Sequence, residues 1–129
     1  MISTVLIVDD MPMIRQALCK LFRTAGGFEV CGEASNGYEA IERANTLHPD
    51  LIVLDLCMPM MNGLETAREL RKLNLASRVI LYSLNAEDMV AKEAYAAGVT
   101  AVVSKAEGIK TLMTKAREIT NISQAHFSS

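Results

Sequence analysis

Five short apolar runs, each followed by a stretch of helical periodicity, restrict the fold of this 129-residue chain more than any other feature of its sequence. Thr4 to Val8, Phe28 to Ala34, Leu51 to Leu54, Val79 to Tyr82 and Ala101 to Val103 are too short for helices, and most are dominated by Val, Ile and Leu. They read as strands buried on both faces. Pro12 opens a first helix at a position where its missing N–H does no harm, Ile14, Ala17, Leu18, Leu21 and Phe22 recur at helical spacing, and Gly26-Gly27 stops it. A turn at Asn36-Gly37 precedes a second helix marked by Tyr38, Ala40, Ile41 and Ala44 and ended by His48-Pro49. After the loop LCMPMMNG, Leu64, Ala67 and Leu70 line a third. Glu87 to Ala97 gives a fourth, ended by Gly98, and Ile109, Leu112, Met113, Ala116 and Ile119 form the stripe of a fifth.

Strand-then-helix units in series require a parallel sheet with helices on both faces, because a parallel connection must cross over. Right-handed crossovers then leave a doubly wound α/β sheet, and for five strands the flavodoxin-like order 2-1-3-4-5 is the expected one. The length fits one domain, with a core over about residues 4–121 and a polar stretch at 122–129 that reads as a tail or the start of a linker.

The formal net charge is -2, with acids and bases interleaved, so the chain lacks the basic stripe of a nucleic-acid binder. No apolar run approaches the roughly 20 residues that span a bilayer, and MISTVLIVDD has neither the basic start nor the apolar length of a signal peptide. Cys19, Cys31 and Cys57 show no paired spacing, which argues against a disulfide framework or a zinc site and for a reduced, cytoplasmic setting.

The chemistry is expected where the strands end. In such a sheet, ligands bind outside the carboxyl ends of the strands, at the switch point between strands 1 and 3. Strand 1 ends in Asp9 and Asp10, strand 3 in Asp55, strand 4 in Ser83, and strand 5 leads to Lys105. Three clustered carboxylates repel one another, so a hard divalent cation such as Mg²⁺ is their natural partner. A cation with a lysine and a hydroxyl opposite is an arrangement for handling a phosphoryl group.

Taken together, VDDMP after strand 1, DLCMPMMNG after strand 3, the serine ending strand 4 and the lysine after strand 5 resemble the response regulator receiver-domain family, from about Val5 to the last helix. The resemblance implies a phosphorylation switch rather than an enzyme, one that assists its own phosphorylation and dephosphorylation. It implies that Asp55 accepts a phosphoryl group from a sensor histidine kinase or phosphotransfer protein. Asp10, Asp55 and the backbone carbonyl of Cys57 would ligate Mg²⁺, with Asp9 acting through a bound water. Lys105 and Ser83 would hold the phosphoryl oxygens, and movement of Ser83 would repack the fourth helix and fifth strand. LDLCMPMMNGLE and SKAEG are most similar to the LuxR/NarL-type branch, and QAHFSS resembles the start of that branch's linker. That implies transcription control through a DNA-binding domain outside this sequence, with a homodimer as one way of signalling. A stand-alone receiver remains the other form.

Each residue also has a plainer reading. Asp9 and Asp10 fit helix capping poorly, since Pro12 puts the cap at Met11. A serine at a strand end or a solvated lysine is ordinary on its own, and Ser83 and Lys105 draw their weight from the constellation. The methionines at 11, 58, 60 and 61 read as loop packing, and Tyr82 and Tyr95 as core or rim.

Three positions depart from the family pattern. Val102 stands mid-strand where Tyr or Phe is usual, Leu84 where Ala or Gly is common, and Ala106 where Pro often follows the lysine, so no cis bond is expected there. Leu84 predicts slower phosphoryl uptake by restricting access to Asp55. Two rival classes share parts of this pattern. A Mg²⁺-dependent phosphohydrolase of similar topology wants an acid/base aspartate where Cys57 stands. A degenerate receiver acting only as an interaction module is opposed by the intact acidic pair, Asp55, Ser83 and Lys105, while Val102 keeps it open.

Overall fold

Along each strand successive side chains point to opposite faces, and in the central strands both faces are apolar, so these strands feed two cores. In the computed structural model, residues 2–84 and 88–120 are described, without the side chains at 88 and 89. The strands are β1 (Ser3–Val8), β2 (Phe28–Ala34), β3 (Leu51–Leu54), β4 (Arg78–Ser83) and β5 (Ala101–Ser104). They alternate with α1 (Pro12–Thr24), α2 (Gly37–Leu47), α3 (Gly63–Lys72), α4 (Asp88–Ala96) and α5 (Ile109–Thr120), with a 3-10 turn at Lys105–Glu107. All pairings are parallel and the order is β2-β1-β3-β4-β5, as the sequence predicts.

Val5, Ile7, Leu51, Val53, Ile80, Tyr82 and Val103 face one way and pack with Leu18, Cys19 and Phe22 of α1 and Leu112 and Ala116 of α5. Leu6, Val8, Ile52, Leu54, Val79 and Leu81 face the other way and pack with Ala40 and Ala44 of α2, Leu64, Ala67 and Leu70 of α3, and Ala94 of α4. Because β2 and β3 lie on opposite sides of β1, the connections leaving β1 and β3 diverge and open a crevice between their carboxyl ends.

The structure corrects several details. Ala17, Tyr38, Tyr95 and Ile109 are exposed, so the buried stripes are narrower than periodicity alone suggests. Met58 is buried, but Met11 and Met60 are exposed rather than packed. Asn36-Gly37 is not a separate turn. Asn36 caps α2, its side chain accepting the Glu39 N–H at 2.9 Å, and Gly37 is the first helical residue. Strand β5 runs one residue further, through Ser104, whose hydroxyl caps the 3-10 turn by accepting the Ala106 N–H at 3.1 Å. The expected fourth helix ends at Ala96, one residue early, and position 87 lies outside the described residues, as does 122–129. Strand β2 also bulges. Val5 pairs with Val30 but Leu6 with Gly32, leaving Cys31 as the extra residue.

Candidate functional site

Parallel strands deliver their carboxyl ends to one edge, so β1, β3, β4 and β5 bring Asp9, Asp10, Asp55, Ser83 and Lys105 to the same rim. Asp9 directly follows β1 and is almost fully buried, its N–H donating to Ala34 O at 3.1 Å. Asp55 directly follows β3, is 6% exposed, and its N–H donates to Val8 O at 3.1 Å. Two adjacent backbones therefore hold these carboxylates in fixed register. Asp10 is half-buried at the mouth. One carboxylate oxygen from each of the three lies within 4.8 Å of the others.

Lys105 reaches into this cluster from the far side of the sheet. Its Nζ is 3.2 Å from Asp9 Oδ2 and 3.5 Å from Asp55 Oδ1, and it lies 5.8 Å from the centroid of the Tyr82 ring. Tyr82 is thus more than core filling, since its ring face supports the lysine. Ser104 and Glu107 form a capping box around the 3-10 turn that carries Lys105, fixing the backbone from which the side chain springs.

Burial and charge work against each other here. Burial raises the Asp55 pKa, with Asp9 and Asp10 adding repulsion, and these outweigh the attraction of Lys105, so the net direction is upward. For Lys105, burial pushes the ammonium pKa down, but Asp55 and Asp9 hold it above the ordinary lysine value. The site therefore keeps its lysine charged and strains its most central carboxylate.

Ser83, the last residue of β4, is 1% exposed and pairs in register with Ser104 of β5. Cys57 lies exposed in the loop two residues beyond Asp55. Val102 is half-buried in the middle of β5, against the core shared with α2, α3 and α4. Asp9 also has a local role, since its Oδ1 accepts the Met11 N–H at 2.9 Å ahead of α1. Helix α1 itself starts without a side-chain cap.

Gly63 determines how closely α3 approaches the loop after β3. Its N–H donates to Leu56 O at 2.8 Å, and a Cβ there would meet the Asp55 carbonyl and stand 2.8 Å from Leu56 Cα. Only glycine permits this approach. Arg15 was not singled out by the sequence. Its Nη1 donates to the Asp9 carbonyl at 2.9 Å and its Nε to Glu33 Oε1 at 3.1 Å. The signal was thin: an arginine one turn into a helix has no local mark separating it from a solvated one.

A five-stranded sheet in this order, with three carboxylates at the switch point and a lysine among them, is the architecture of a receiver domain, and a family model for the response regulator receiver domain matches residues 5–117. The chain belongs to this family, as a receiver domain of two-component response regulators of the type found in NarL-, BvgA- and LuxR-family transcription regulators. Over 90 residues it is 48% identical to the nitrate/nitrite response regulator protein NarL of Escherichia coli (strain K12), covering 68% of this chain and 42% of that protein. It is 39% identical over 94 residues to the chemotaxis protein CheY of Thermotoga maritima, covering 73% of this chain and 78% of that one. The crystal structure of a LuxR-family DNA-binding response regulator from Staphylococcus aureus superposes with a TM-score of 0.87 at 30% identity, covering 93% of this chain and all of that one. The chain spans about half the length of the curated transcription regulators it matches. Receiver domains of this type are phosphorylated by kinases and act in two-component systems. Among the described residues, no helix is long and apolar enough to cross a membrane.

Proposed function

We propose that Asp55 is the phosphoacceptor of a Mg²⁺-dependent switch. The observation that carries this reading is the placement of one carboxylate, 6% exposed at the end of β3, between a lysine ammonium at 3.5 Å and two further carboxylates. The donor set is all hard oxygen, and burial first, with the repulsion of Asp9 and Asp10, raises the Asp55 pKa, so the residues fit a divalent cation with retained waters. Asp10, Asp55 and the Cys57 backbone carbonyl would hold it, with Asp9 acting through a water. When bound, the cation neutralises the carboxylates and the charge of an incoming phosphoryl group.

The rest of the work falls to the chain. An Asp55 carboxylate oxygen forms the O–P bond as the P–N bond of a phosphohistidine breaks. The bonding electron pair returns to the imidazole nitrogen, and because the phosphohistidine ring carries a proton on its other nitrogen it leaves as neutral imidazole. Lys105, already charged, offers its ammonium to a phosphoryl oxygen in place of Asp9, and Ser83 at the end of the neighbouring strand donates its hydroxyl to another. A shift of Ser83 pulls on β4 and, through the β4–β5 pairing, on Val102 and the surface beside it. Since Val102 has no ring to swing, this coupling runs through strand displacement rather than an aromatic rotamer. The domain is a switch and not an enzyme in its own right.

The phosphodonor is a sensor histidine kinase or phosphotransfer protein in the cytoplasm. The output is transcription control through a DNA-binding domain of a longer protein, signalled in part by homodimer formation. The 48% identity to NarL and the match to a LuxR-family structure support that direction. The test is incubation with Mg²⁺ and acetyl phosphate, following intact mass beside an Asp55→Ala control. One phosphoryl adduct that needs Mg²⁺ and is absent from the control is expected. No adduct, with cation binding verified, would favour an interaction module instead.

A further inference from the structure

The acidic pair Asp9-Asp10 follows the last residue of β1, and α1 begins only at Pro12 with no side-chain cap at Met11. A segment so placed needs something to hold its backbone. The Asp9 N–H is taken by Ala34 O of β2, which leaves the Asp9 carbonyl to be fixed from elsewhere. Arg15, one turn into α1, supplies that partner through Nη1 at 2.9 Å.

Arg15 is itself held. Its Nε donates to Glu33 Oε1 at 3.1 Å, and its side chain is only 18% exposed. Glu33 is the penultimate residue of β2, paired in register with Ile7 of β1. Its carboxylate also acts on the buried Cys19 thiol, whose pKa rises to about 11 through burial first and Glu33 second. The guanidinium is planar with donors in a rigid fork, so two of them engaged on different strands fix its position far better than an ammonium could. One arginine thus ties the start of α1 to the ends of β1 and β2.

We infer that Arg15, oriented by Glu33, is a positioning residue that sets the Asp9-Asp10 backbone for cation binding. The inference rests on the cation reading of the same carboxylates and extends it to two residues that touch no ligand. It makes an uncommon prediction of sign. Deleting a positive charge beside an acidic site should, on charge alone, tighten Mg²⁺ binding. A positioning role predicts the reverse.

The experiment is a Mg²⁺ titration of the ¹⁵N-labelled domain by amide chemical shift, needing no phosphodonor. Wild type, Arg15→Met, Glu33→Gln and the double variant are compared, with urea midpoints measured beside them. Arg15→Met is expected to weaken Mg²⁺ binding at least threefold. Glu33→Gln should weaken it less, and the double variant no more than Arg15→Met, because both act through one carbonyl. Arg15→Lys keeps the charge and loses the fork, so it should also weaken binding, and it serves if Arg15→Met folds poorly. Unchanged or tighter binding in Arg15→Met and Arg15→Lys, with wild type binding normally, overturns the clamp. Additive losses in the double variant overturn the shared route through the Asp9 carbonyl. A wild type that takes up no Mg²⁺ overturns the underlying cation reading instead, which is a different result.

Discussion

The ammonium of Lys105 stands 3.2 Å from Asp9 Oδ2, so the chain supplies its own cation to the crevice. The lysine bridges to Asp55 Oδ1 at 3.5 Å as well, partly neutralising the carboxylates that would hold a metal. On the proposed function, binding a divalent cation would work against a resident charge, and taking up a phosphoryl group would transfer that charge to a new oxygen.

Lys105→Met should separate these two roles. Removing the ammonium relieves repulsion of an incoming cation and is expected to tighten Mg²⁺ binding by about three- to tenfold, equivalent to roughly 1 kcal/mol. The same variant should take up a phosphoryl group from acetyl phosphate at least tenfold more slowly. Amide-shift titration and the rate of adduct formation by mass check the two arms. Weaker Mg²⁺ binding in Lys105→Met would show that the lysine organises the carboxylates rather than competing for them.

Asp55 gives a pH prediction. Burial first, then Asp9 and Asp10, raise its folded pKa above the ordinary value of 3.8 despite Lys105. A raised folded pKa means the protonated group contributes stability that is fully present below the unfolded pKa and is lost as pH rises through the folded pKa. At neutral pH the metal-free protein then carries an ionised, poorly solvated carboxylate. Asp55→Asn in EDTA should melt several degrees higher than wild type at pH 7, with the gap closing below pH 4. Mg²⁺ should narrow the gap at pH 7 by stabilising wild type preferentially. A gap that does not vary with pH would assign the effect to packing.

How legible all this was in the sequence depended on whether the signal was local. Strand β3, four apolar residues ending at Asp55, announces itself by run length and by the carboxylate that closes it. The sheet order followed from crossover rules, and the rim residues followed from the order. The bulge at Cys31 left no mark, because one extra residue in a strand preserves its composition while shifting its register. Ala17, Tyr38, Tyr95 and Ile109 fit a helical period yet face solvent, since periodicity gives a stripe but not its width. Tyr82 was visible as packing but not as the platform under Lys105, and Arg15 not at all. Both act through partners distant in sequence, which no local pattern encodes.

Gly63 offers a prediction about the loop rather than the charges. The first turn of α3 is secured by Asn62 and Glu65, which satisfy each other's backbone N–H groups. That capping box holds the helix against the backbone of Asp55 and Leu56 with no room for a methyl group. Gly63→Ala gains helix propensity but must push backbone against backbone, so a net loss of about 2 kcal/mol is expected. The urea midpoint measures the loss. Displacement of Asp55 should also lower Mg²⁺ affinity in the surviving folded fraction. A variant as stable as wild type would mean that α3 can slide away at little cost.

Leu84 separates access from chemistry. It follows Ser83, which is 1% exposed, yet is itself 73% exposed, so burial ends within one residue of the carboxyl end of β4. An exposed leucine contributes little to stability, and Leu84→Ala should leave the unfolding free energy from urea denaturation within about 0.5 kcal/mol of wild type. Mg²⁺ affinity should also hold, since no charge or ligand changes. If the side chain screens Asp55, Leu84→Ala takes up a phosphoryl group from acetyl phosphate about threefold faster, and hydrolysis of the adduct accelerates in parallel as water gains the same access. Equal rates in both directions would show that the leucine stands clear of Asp55, and the pace of the reaction would then rest with Lys105 and the carboxylates alone.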